Sequence, residues 1–383
     1  MRSIRLGIAV AVSALVLAGC GGSDSGDDGA VKIGAWYPLS GPVAASGVPS
    51  EAGARAYFDM VNDNGGINGR KVDFITEDNA FDPQQTLQIA RKMVSDGVQG
   101  IVTANGTAPT EATFPFVLQQ SKVPIFATYG GSAAWYDPVR PGLFGAQALY
   151  EDQAAVAAKW AMESGAKNIV IVRDDPDAFA TVDDAATKVI EDGGATADRV
   201  VAKFGSTDYG PYVASVKKKQ PDAVLLILPV PEAAAYLNEA ALQGVKAPVY
   251  AYAPAATGGL ITLAGKNAEG LRAVSLTVPP TSDDPAVVEY REAMKKYAPK
   301  QAPDFYSIAN FAWAKAFAEI LKSIDGEINS ESITKAIESA SEVETGIAPP
   351  FSFSKDGHLG TNAVMRVEVK KGEFVSVGDF VSP

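Results

Sequence analysis

The side chains that most often carry covalent or metal chemistry are nearly absent from this chain. Its 383 residues include one histidine, His358, and one cysteine, Cys20. A Ser–His or Cys–His nucleophile and a His-rich metal site each need partners that the sequence does not supply. His358 follows a turn pattern, Lys355–Gly357, between two strand-like runs, and we expect a turn residue without a chemical role. The sequence therefore argues against a hydrolase and predicts a protein that is not an enzyme.

Two further motifs suggest phosphate or ion chemistry, but their spacing is wrong for it. Gly259–Asn267 resembles a phosphate-binding loop, yet it has five residues between its glycines and an asparagine where Ser or Thr would bind Mg²⁺. The acid-rich stretch Arg173–Asp184 lacks the ligand spacing and the central glycine of a calcium loop. We expect a solvated loop and a helix start there, and we predict no cofactor and no metal.

The N-terminal residues have the pattern of an export signal. Two arginines precede an uncharged apolar stretch, Leu6–Val16, which is far shorter than the roughly 20 residues that span a bilayer. Leu17–Cys20 resembles the bacterial lipobox, in which the cysteine is acylated and becomes the first mature residue. We expect a signal peptide over residues 1–19, lipidation of Cys20 and a flexible polar tether over residues 20–30. Such a chain is extracytoplasmic and lipid-anchored to the bacterial cell membrane.

Composition limits the partners and the organisation of the folded part. The formal net charge is −12, and no cluster of Lys and Arg interrupts the acidic excess, so nucleic acid is not an expected partner. With a single cysteine the fold has no internal disulfide and must be stabilised by burial, for which the chain is long enough. The length favours two domains.

Short apolar strands alternate with helical segments from Val31 onward, and this alternation indicates the fold class. The predicted strands are Val31–Tyr37, Lys71–Glu77, Gly100–Ala104, Val123–Thr128, Asn168–Arg173, Ala197–Phe204, Ala223–Leu228, Pro248–Tyr252 and Arg272–Val278. The predicted helices are Ser50–Asn62, 82–97, Thr110–Lys122, Asp152–Ser164, Thr181–Asp192, Tyr209–Gln220, Glu232–Gln243, Pro285–Tyr297, Tyr306–Ile324 and Ser330–Ser339, with a hairpin-like pair closing Phe351–Phe374. Two successive runs of this kind predict an α/β protein with two doubly wound α/β lobes, each built on a parallel sheet.

Four segments, in their order and spacing, resemble the leucine/isoleucine/valine-binding protein family of type I ABC-importer receptors. They are Ile33–Pro42, Val61–Arg70, Glu77–Pro83 and Asp208–Val224. The resemblance implies the type I periplasmic binding protein fold, in which the lobes are joined by a three-segment hinge. We place the hinge near Gly145–Leu149, Ser275–Val278 and Pro350–Phe353.

The resemblance also implies lobe boundaries and a function. The N-terminal lobe comprises residues 31–146 with 278–350, and the C-terminal lobe comprises 147–277 with 351–383. A protein of this kind is a monomeric solute-binding lipoprotein of a branched-chain amino acid-type ABC transporter. It captures a small amino acid or a related carboxylate or amide between the lobes and delivers it to the permease subunits, and only its anchor contacts the membrane. Uptake of an aromatic or short-chain carboxylate, or a sensory role, are alternatives.

In this family two loops hold the ligand's carboxylate, and here they are Asn105–Thr110 and Tyr129–Ser132. We predict Thr107 and Ser132 as hydroxyl donors, with Gly106 and Gly130 as backbone contacts, because glycine lets a ligand approach the main chain. The alternative is that the two hydroxyl residues only cap helices.

Aromatic contacts to the ligand are expected from both lobes. Ser46 lies where the family often has an aromatic cleft residue, and the space that it leaves would be filled by Trp36 or Tyr37. Phe179 resembles the aromatic lid residue of the family. The alternative to a ligand contact is that these aromatic side chains pack in the hydrophobic core, and it applies to Trp36, Tyr37 and Phe179.

Two departures from the family pattern affect the ligand. Acidic side chains hold the ligand's ammonium in amino-acid-binding members, and the matching positions are Tyr150 and Ala253; we keep Tyr150 as a ligand contact. A buried ammonium needs a carboxylate, for which Glu151, Asp152 or Asp174 are the substitutes left open. The disulfide of some members is also absent, because its positions are Phe81 and Gly106.

Overall fold

Two sheets organise the computed structural model, which describes residues 29–41 and 43–383. The predicted signal peptide, Cys20 and nearly all of the tether lie outside these residues. The first sheet has the order β2-β1-β3-β4-β5 with parallel neighbours throughout. Its strands are β1 Val31–Tyr37, β2 Val72–Asp78, β3 Gly100–Val102, β4 Ile125–Phe126 and β5 Leu143–Phe144.

The second sheet has the order β12-β11-β10-β9-β8-β6-β7, parallel from β10 to β7 and antiparallel at β10–β11 and β11–β12. Its strands are β6 Asn168–Asp174, β7 Thr196–Ala202, β8 Ala223–Ile227, β9 Val249–Ala251, β10 Arg272–Ser275, β11 Val364–Lys370 and β12 Glu373–Val381. The predicted closing hairpin is present, but it lies later in the chain than expected.

Helices cover both sheets and divide the molecule into two lobes. The α-helices are α1 Ala44–Asp63, α2 Pro83–Ser95, α3 Thr107–Glu111, α4 Tyr150–Glu163, α5 Asp177–Asp192, α6 Gly210–Lys218, α7 Val230–Gln243, α8 Gly258–Ala264, α9 Pro285–Tyr297, α10 Phe305–Lys322 and α11 Ser330–Glu338. Helices α9 and α10 pack on α1, and α11 packs on α10. We call the first sheet with α1–α3 and α9–α11 the first lobe, and the second sheet with α4–α8 the second lobe. The predicted α/β class with two lobes is confirmed.

Local signals explain where several helices begin. The Asp82 carboxylate accepts the Gln85 N–H at 2.8 Å, with Pro83 at the first helical position of α2, as the sequence predicted. Asp304 and Ser307 form a reciprocal capping box at the start of α10, which is buried along most of its length.

Two of the predicted helices differ from the observed ones, and proline explains one of the differences. Residues 110–122 do not form one helix, because Pro115 has no N–H to donate and its ring would clash with the preceding turn. The chain instead forms α3 and a separate π-helical turn, Pro115–Gln120. Helix α1 begins at Ala44 and continues through Pro49, so it starts earlier than the prediction at Ser50.

Three segments connect the lobes, after β5, after β10 and before β11. The first and third touch each other, since Gly145 N–H donates to the His358 carbonyl at 2.8 Å and Gly360 N–H donates to the Gly145 carbonyl at 2.7 Å. His358 is buried, its Nδ1–H donates to the Leu143 carbonyl at 3.0 Å, and its ring packs on Phe144. The expected turn is present at Lys355 and Asp356, and His358 directly after it is a buried packing residue where the chain passes between the lobes.

Within the residues that the structure describes, no helix combines the length and the apolar character needed to cross a membrane.

Candidate ligand-binding cleft

Thr107, Gly130 and Tyr150 meet where the loops of the first lobe reach the start of α4. The Thr107 Oγ1 accepts the Gly131 N–H at 3.1 Å, and the Gln147 Oε1 accepts the Gly130 N–H at 3.2 Å. The side chains of Thr107 and Gln147 also hydrogen-bond the Tyr150 hydroxyl, and they offset part of the rise that burial causes in the pKa of Tyr150. The structure thus brings together three of the predicted site residues from both lobes.

The backbone geometry at Gly130 makes glycine necessary there. Its φ is +129°, and a Cβ at this position would lie 2.7 Å from Thr107 Oγ1 and 3.0 Å from Thr107 N. Any side chain would therefore cover the polar groups of Thr107. The prediction that a glycine keeps this surface open has a clear physical basis at Gly130.

The structure gives Gly106 a role other than the predicted backbone contact with the ligand. Its N–H donates to the Tyr129 carbonyl at 2.9 Å, in a bridge between the two loops, so it is not free to donate to a ligand. Its φ is +113°, and a Cβ on this residue would lie 3.0 Å from the ring of Phe81. The positive φ and the close packing against Phe81 therefore explain why glycine occupies this position.

Unused donors remain in both loops. Among the described residues, the N–H groups of Thr107 and Ser132 donate to no protein oxygen, and the Ser132 hydroxyl also has no partner. Gly106 rather than Thr107 occupies the N-cap of α3, and Ser132 stands at the N-cap of a short 3₁₀ turn without a side-chain capping bond. The structure therefore does not support the alternative that these hydroxyls serve only as helix caps.

Tyrosines from both lobes surround this polar junction. In the first lobe the Tyr129 ring packs against Tyr306 and Trp313, at centroid distances of 5.2 and 5.8 Å. In the second lobe Tyr150 packs against Tyr252 at 6.0 Å. Burial raises the pKa of Tyr129 and of Tyr252 well above the usual value for tyrosine, and neighbouring tyrosines add to both rises. These rings therefore stay neutral hydroxyl donors and apolar surfaces at physiological pH.

Of the three acidic residues left open by the sequence, Asp174 is the most deeply buried. It is fully buried at the end of β6, and burial followed by the charges of Glu232 and Asp175 raises its pKa to about 7. Burial, with the nearby Glu151, raises the pKa of Asp152 to about 6. The Asp174 carboxyl group is therefore only partly ionised near neutral pH.

Three predicted site residues do not join this group. Trp36 is fully buried in the core of the first lobe, where its Nε1–H donates to Thr110 Oγ1 at 3.0 Å, so the core alternative describes it. The Ser46 hydroxyl donates to the Val43 carbonyl at 2.9 Å within its own helical turn. Phe179 packs against the exposed Phe204 on the second lobe, at 6.3 Å.

Sequence reasoning missed Gln147, Tyr252, Tyr306 and Glu232. Tyr252 and Glu232 closely follow strands of the second sheet, and this position at the carboxyl edge was a signal that could have found them. Tyr306 lies in the first turn of the apolar helix α10, and the sequence pattern of this helix indicates core packing. Its neighbours show that it contributes to the tyrosine group instead.

Comparison with known proteins agrees with this fold. Residues 30–373 match the family described as periplasmic binding protein. A Leu/Ile/Val-binding protein of Escherichia coli K12 is 26% identical over 342 residues, covering 86% of this chain and 88% of that protein.

Solved structures show the same architecture. A possible leucine/isoleucine/valine-binding protein from Rhodopirellula baltica superimposes with a TM-score of 0.82 at 21% identity, covering 92% of this chain and 97% of that one. A fatty acid ABC transporter substrate-binding protein from Thermomonospora curvata gives a TM-score of 0.82 at 20% identity, covering 93% of each chain. At these identities the structural similarity establishes the fold.

The chain belongs to the periplasmic binding protein family. The resemblance stated from four sequence segments is confirmed. Proteins of this family bind small solutes outside the cytoplasm and work with ABC permease subunits, and they are not enzymes.

Proposed function

We propose that this protein captures a small carboxylate-bearing or amide-bearing solute in the cleft between its lobes and delivers it to an ABC permease. The ligand's polar head would lie against Thr107, Ser132 and Gly130, and its remainder would contact the tyrosines. The lobe boundaries are residues 31–146 with 278–350 and 147–277 with 351–383. We further propose that the chain acts as a monomer, tethered by a lipid on Cys20.

One observation carries the proposal: in the two loops where the lobes meet, some donors have no protein partner among the residues that the structure describes. The N–H groups of Thr107 and Ser132 and the Ser132 hydroxyl are available, while Gly130 leaves the approach to Thr107 uncovered. A carboxylate or an amide oxygen accepts several such bonds at once, and charge-assisted bonds of this kind are strong. The name of the Escherichia coli relative, which refers to leucine, isoleucine and valine, fits a ligand with a carboxylate.

A ligand screen followed by substitution tests this site. We expect thermal-shift screening of branched-chain amino acids, aromatic acids, short carboxylates and amides to find a binder. Thr107→Ala and Ser132→Ala should each weaken its binding by about 1–3 kcal/mol, since each removes a hydrogen-bonding group from a desolvated site. Calorimetry gives the Kd of each variant.

Ser215→Ala is the matched control, because Ser215 is an exposed residue of α6 whose hydroxyl bonds only to its own helix. Its Kd should equal that of the unchanged protein. Unchanged affinity in both loop variants would show that the ligand's head does not lie where we place it.

A further inference from the structure

Four polar side chains form a row along the carboxyl edge of the second sheet. Tyr252 follows β9, Glu232 lies in the first turn after β8, Asp174 ends β6, and Tyr209 follows β7 at the start of α6. Because these strands are neighbours in the order β9-β8-β6-β7, residues that are distant in sequence become adjacent in space.

The groups in this row are buried and incompletely bonded. Among the described residues, the Tyr209 hydroxyl is the one hydrogen-bonding neighbour of the fully buried Asp174 carboxylate, and neither group has a further partner; Tyr209 is 2% exposed. Glu232 is 6% exposed; its Oε1 accepts the Gly205 N–H at 3.2 Å, but its Oε2 has no partner within the described part of the chain. Burial and the charge of Asp174 raise the pKa of Tyr209, so the neutral phenol stands beside the acids as a hydroxyl.

Asp183 shows how this lobe stabilises a buried carboxylate that has only a structural role. It is 1% exposed, and its oxygens accept bonds from Arg173 at 3.0 Å, Arg199 at 2.7 Å and Thr187 at 3.0 Å. Asp174 ends the strand that precedes the helix of Asp183, yet no cation is paired with it among the residues described. The Arg173 side chain reaches only the backbone carbonyl of Asp174, at 2.8 Å.

A buried pair of acids without a cation is costly, because desolvation and mutual repulsion both oppose ionisation. The rise of the pKa of Asp174 to about 7 reflects this unfavourable free energy of ionisation. Buried acids without a cation occur at functional sites, where a bound ligand supplies the missing hydrogen bonds and charge.

The row also continues into the cleft. The pKa of Tyr252 is raised first by burial, and then by Tyr150, by Tyr306 of the opposite lobe, and by Asp174 and Glu232. The Tyr252 ring packs on Tyr150 at 6.0 Å, and Tyr252 follows β9, which is the direct neighbour of the strand β8 that precedes Glu232. The acid pair would therefore be the next polar group along this sheet edge for a ligand bound at the lobe junction.

We propose that Asp174 and Glu232, with the hydroxyl of Tyr209, form a subsite for a cationic nitrogen group of the ligand, an ammonium or a guanidinium. This inference rests on the proposed function, and it narrows the ligand to a molecule with a carboxylate-type head and a cationic group. The subsite lies away from Tyr150 and Ala253, the positions where the family resemblance implies the acids that hold an ammonium.

An organic cation fits these groups better than a metal ion does. The subsite offers two carboxylates and a neutral phenol, fewer oxygen ligands than the six to eight that Ca²⁺ takes. Among the described residues, no cluster of three or more His, Cys, Asp or Glu side chains is arranged to hold a metal. N–H donors of an ammonium would instead satisfy the free oxygens of both acids.

The test compares ligands that differ only in the cationic group. The probes are the ω-amino carboxylates from glycine to 6-aminohexanoate, each paired with the alkanoate of the same length, together with leucine paired with 4-methylpentanoate. We expect at least one amino compound to bind about tenfold or more tightly than its partner in calorimetry. Asp174→Asn and Glu232→Gln should each reduce that preference about tenfold while they change the Kd of the alkanoate less than about threefold.

Two variants separate the possible outcomes. Gly130→Ala should abolish binding of amino and alkanoate probes alike; if binding persists in this variant, the proposed function is wrong whatever the acids do. Any one of four results would overturn the cationic subsite. These are tighter binding of the alkanoates than of the amino compounds, a preference that is unchanged in both acid variants, binding of Ca²⁺ that competes with the probes, and no binding by any amino compound. Tyr209→Phe provides a milder variant should either acid variant fail to fold, and it should lower the same preference.

Discussion

At the scale of single residues, the site depends on what each loop leaves unbonded. Gln147 and Tyr129 occupy the N–H groups of Gly130 and Gly106, whereas the N–H groups of Thr107 and Ser132 stay free of protein partners among the described residues. The glycines therefore contribute shape, and the hydroxyl residues contribute the donors. The prediction that the glycines themselves contact the ligand through their backbone N–H groups is changed accordingly, because other residues already occupy those N–H groups.

We expect Gly130→Ala to lose ligand binding, because the new Cβ would lie 3.0 Å from Thr107 N and cover it. Gly165→Ala is the matched control: its φ is also positive, +98°, but nothing lies within 4 Å of the added Cβ, and it is distant in sequence from both loops. Each variant should lose about 1–2 kcal/mol of folding free energy from backbone strain. Chemical denaturation and calorimetry give the two quantities, and equal ligand affinities in the two variants would contradict the role assigned to Gly130.

At the scale of elements, the ends of β6 and β8 and the starts of α6 and α7 assemble the acid pair. Asp174 and Asp183 lie on consecutive elements and are both buried, but within residues 29–41 and 43–383 only the carboxylate of Asp183 pairs with arginines. This difference predicts opposite effects of the same Asp→Asn change, since one carboxylate is compensated and the other is not.

Asp174→Asn should stabilise the ligand-free protein as pH rises. The folded-state pKa of Asp174 is raised to about 7 by burial, Glu232 and Asp175, with a small opposing effect of Tyr209. The unfolded chain releases this proton near pH 4, so the contribution of Asp174 to stability is fully present below that pH and is lost between about pH 4 and 7. Asparagine does not ionise, so the variant does not lose this stability as pH rises. We expect its free energy of unfolding to exceed that of the unchanged protein by on the order of 2–4 kcal/mol at pH 8.

Urea unfolding at several pH values measures this difference. Asp183→Asn is the control, and it should destabilise the protein by about 2–4 kcal/mol across the range, because two arginines lose their partner. A pH-independent effect of Asp174→Asn, or a loss of stability at pH 8, would mean that the buried carboxylate is compensated in solution.

At the scale of the whole molecule, the ligand couples the two lobes. The connecting segments meet at Gly145, which bonds to the backbone of His358 and Gly360 and so holds the first and third crossings side by side. A ligand that contacts loops of one lobe and tyrosines of the other favours the conformation in which both sets of contacts exist.

We therefore expect ligand at a hundred times its Kd to add about 2.7 kcal/mol to the free energy of unfolding. Because both lobes contact the ligand, hydrogen exchange should slow at β3 and β4 of the first lobe and also at β6 and β8 of the second. Gly130→Ala should show neither effect at the same ligand concentration. Protection confined to one lobe would contradict a ligand held between them.

Much of the architecture followed from local patterns in the sequence. The strand and helix periodicity predicted two α/β lobes, and the scarcity of histidine and cysteine argued against an enzyme, because these properties depend on residue types and short-range spacing. The caps at Asp82 and Pro83 were readable for the same reason. Pro115 was an available signal that the prediction of one helix over residues 110–122 overlooked.

The tertiary structure alone decided which side chains are free and which are neighbours. It buried Trp36 in the core, paired the Gly106 N–H with Tyr129 and left Asp174 without a cation among the described residues while Asp183 met two arginines. Burial and pairing depend on strand order, and β6 lies between β7 and β8 only because the crossovers place it there. Local sequence determines which elements form, but contacts between residues far apart in the chain determine their chemistry.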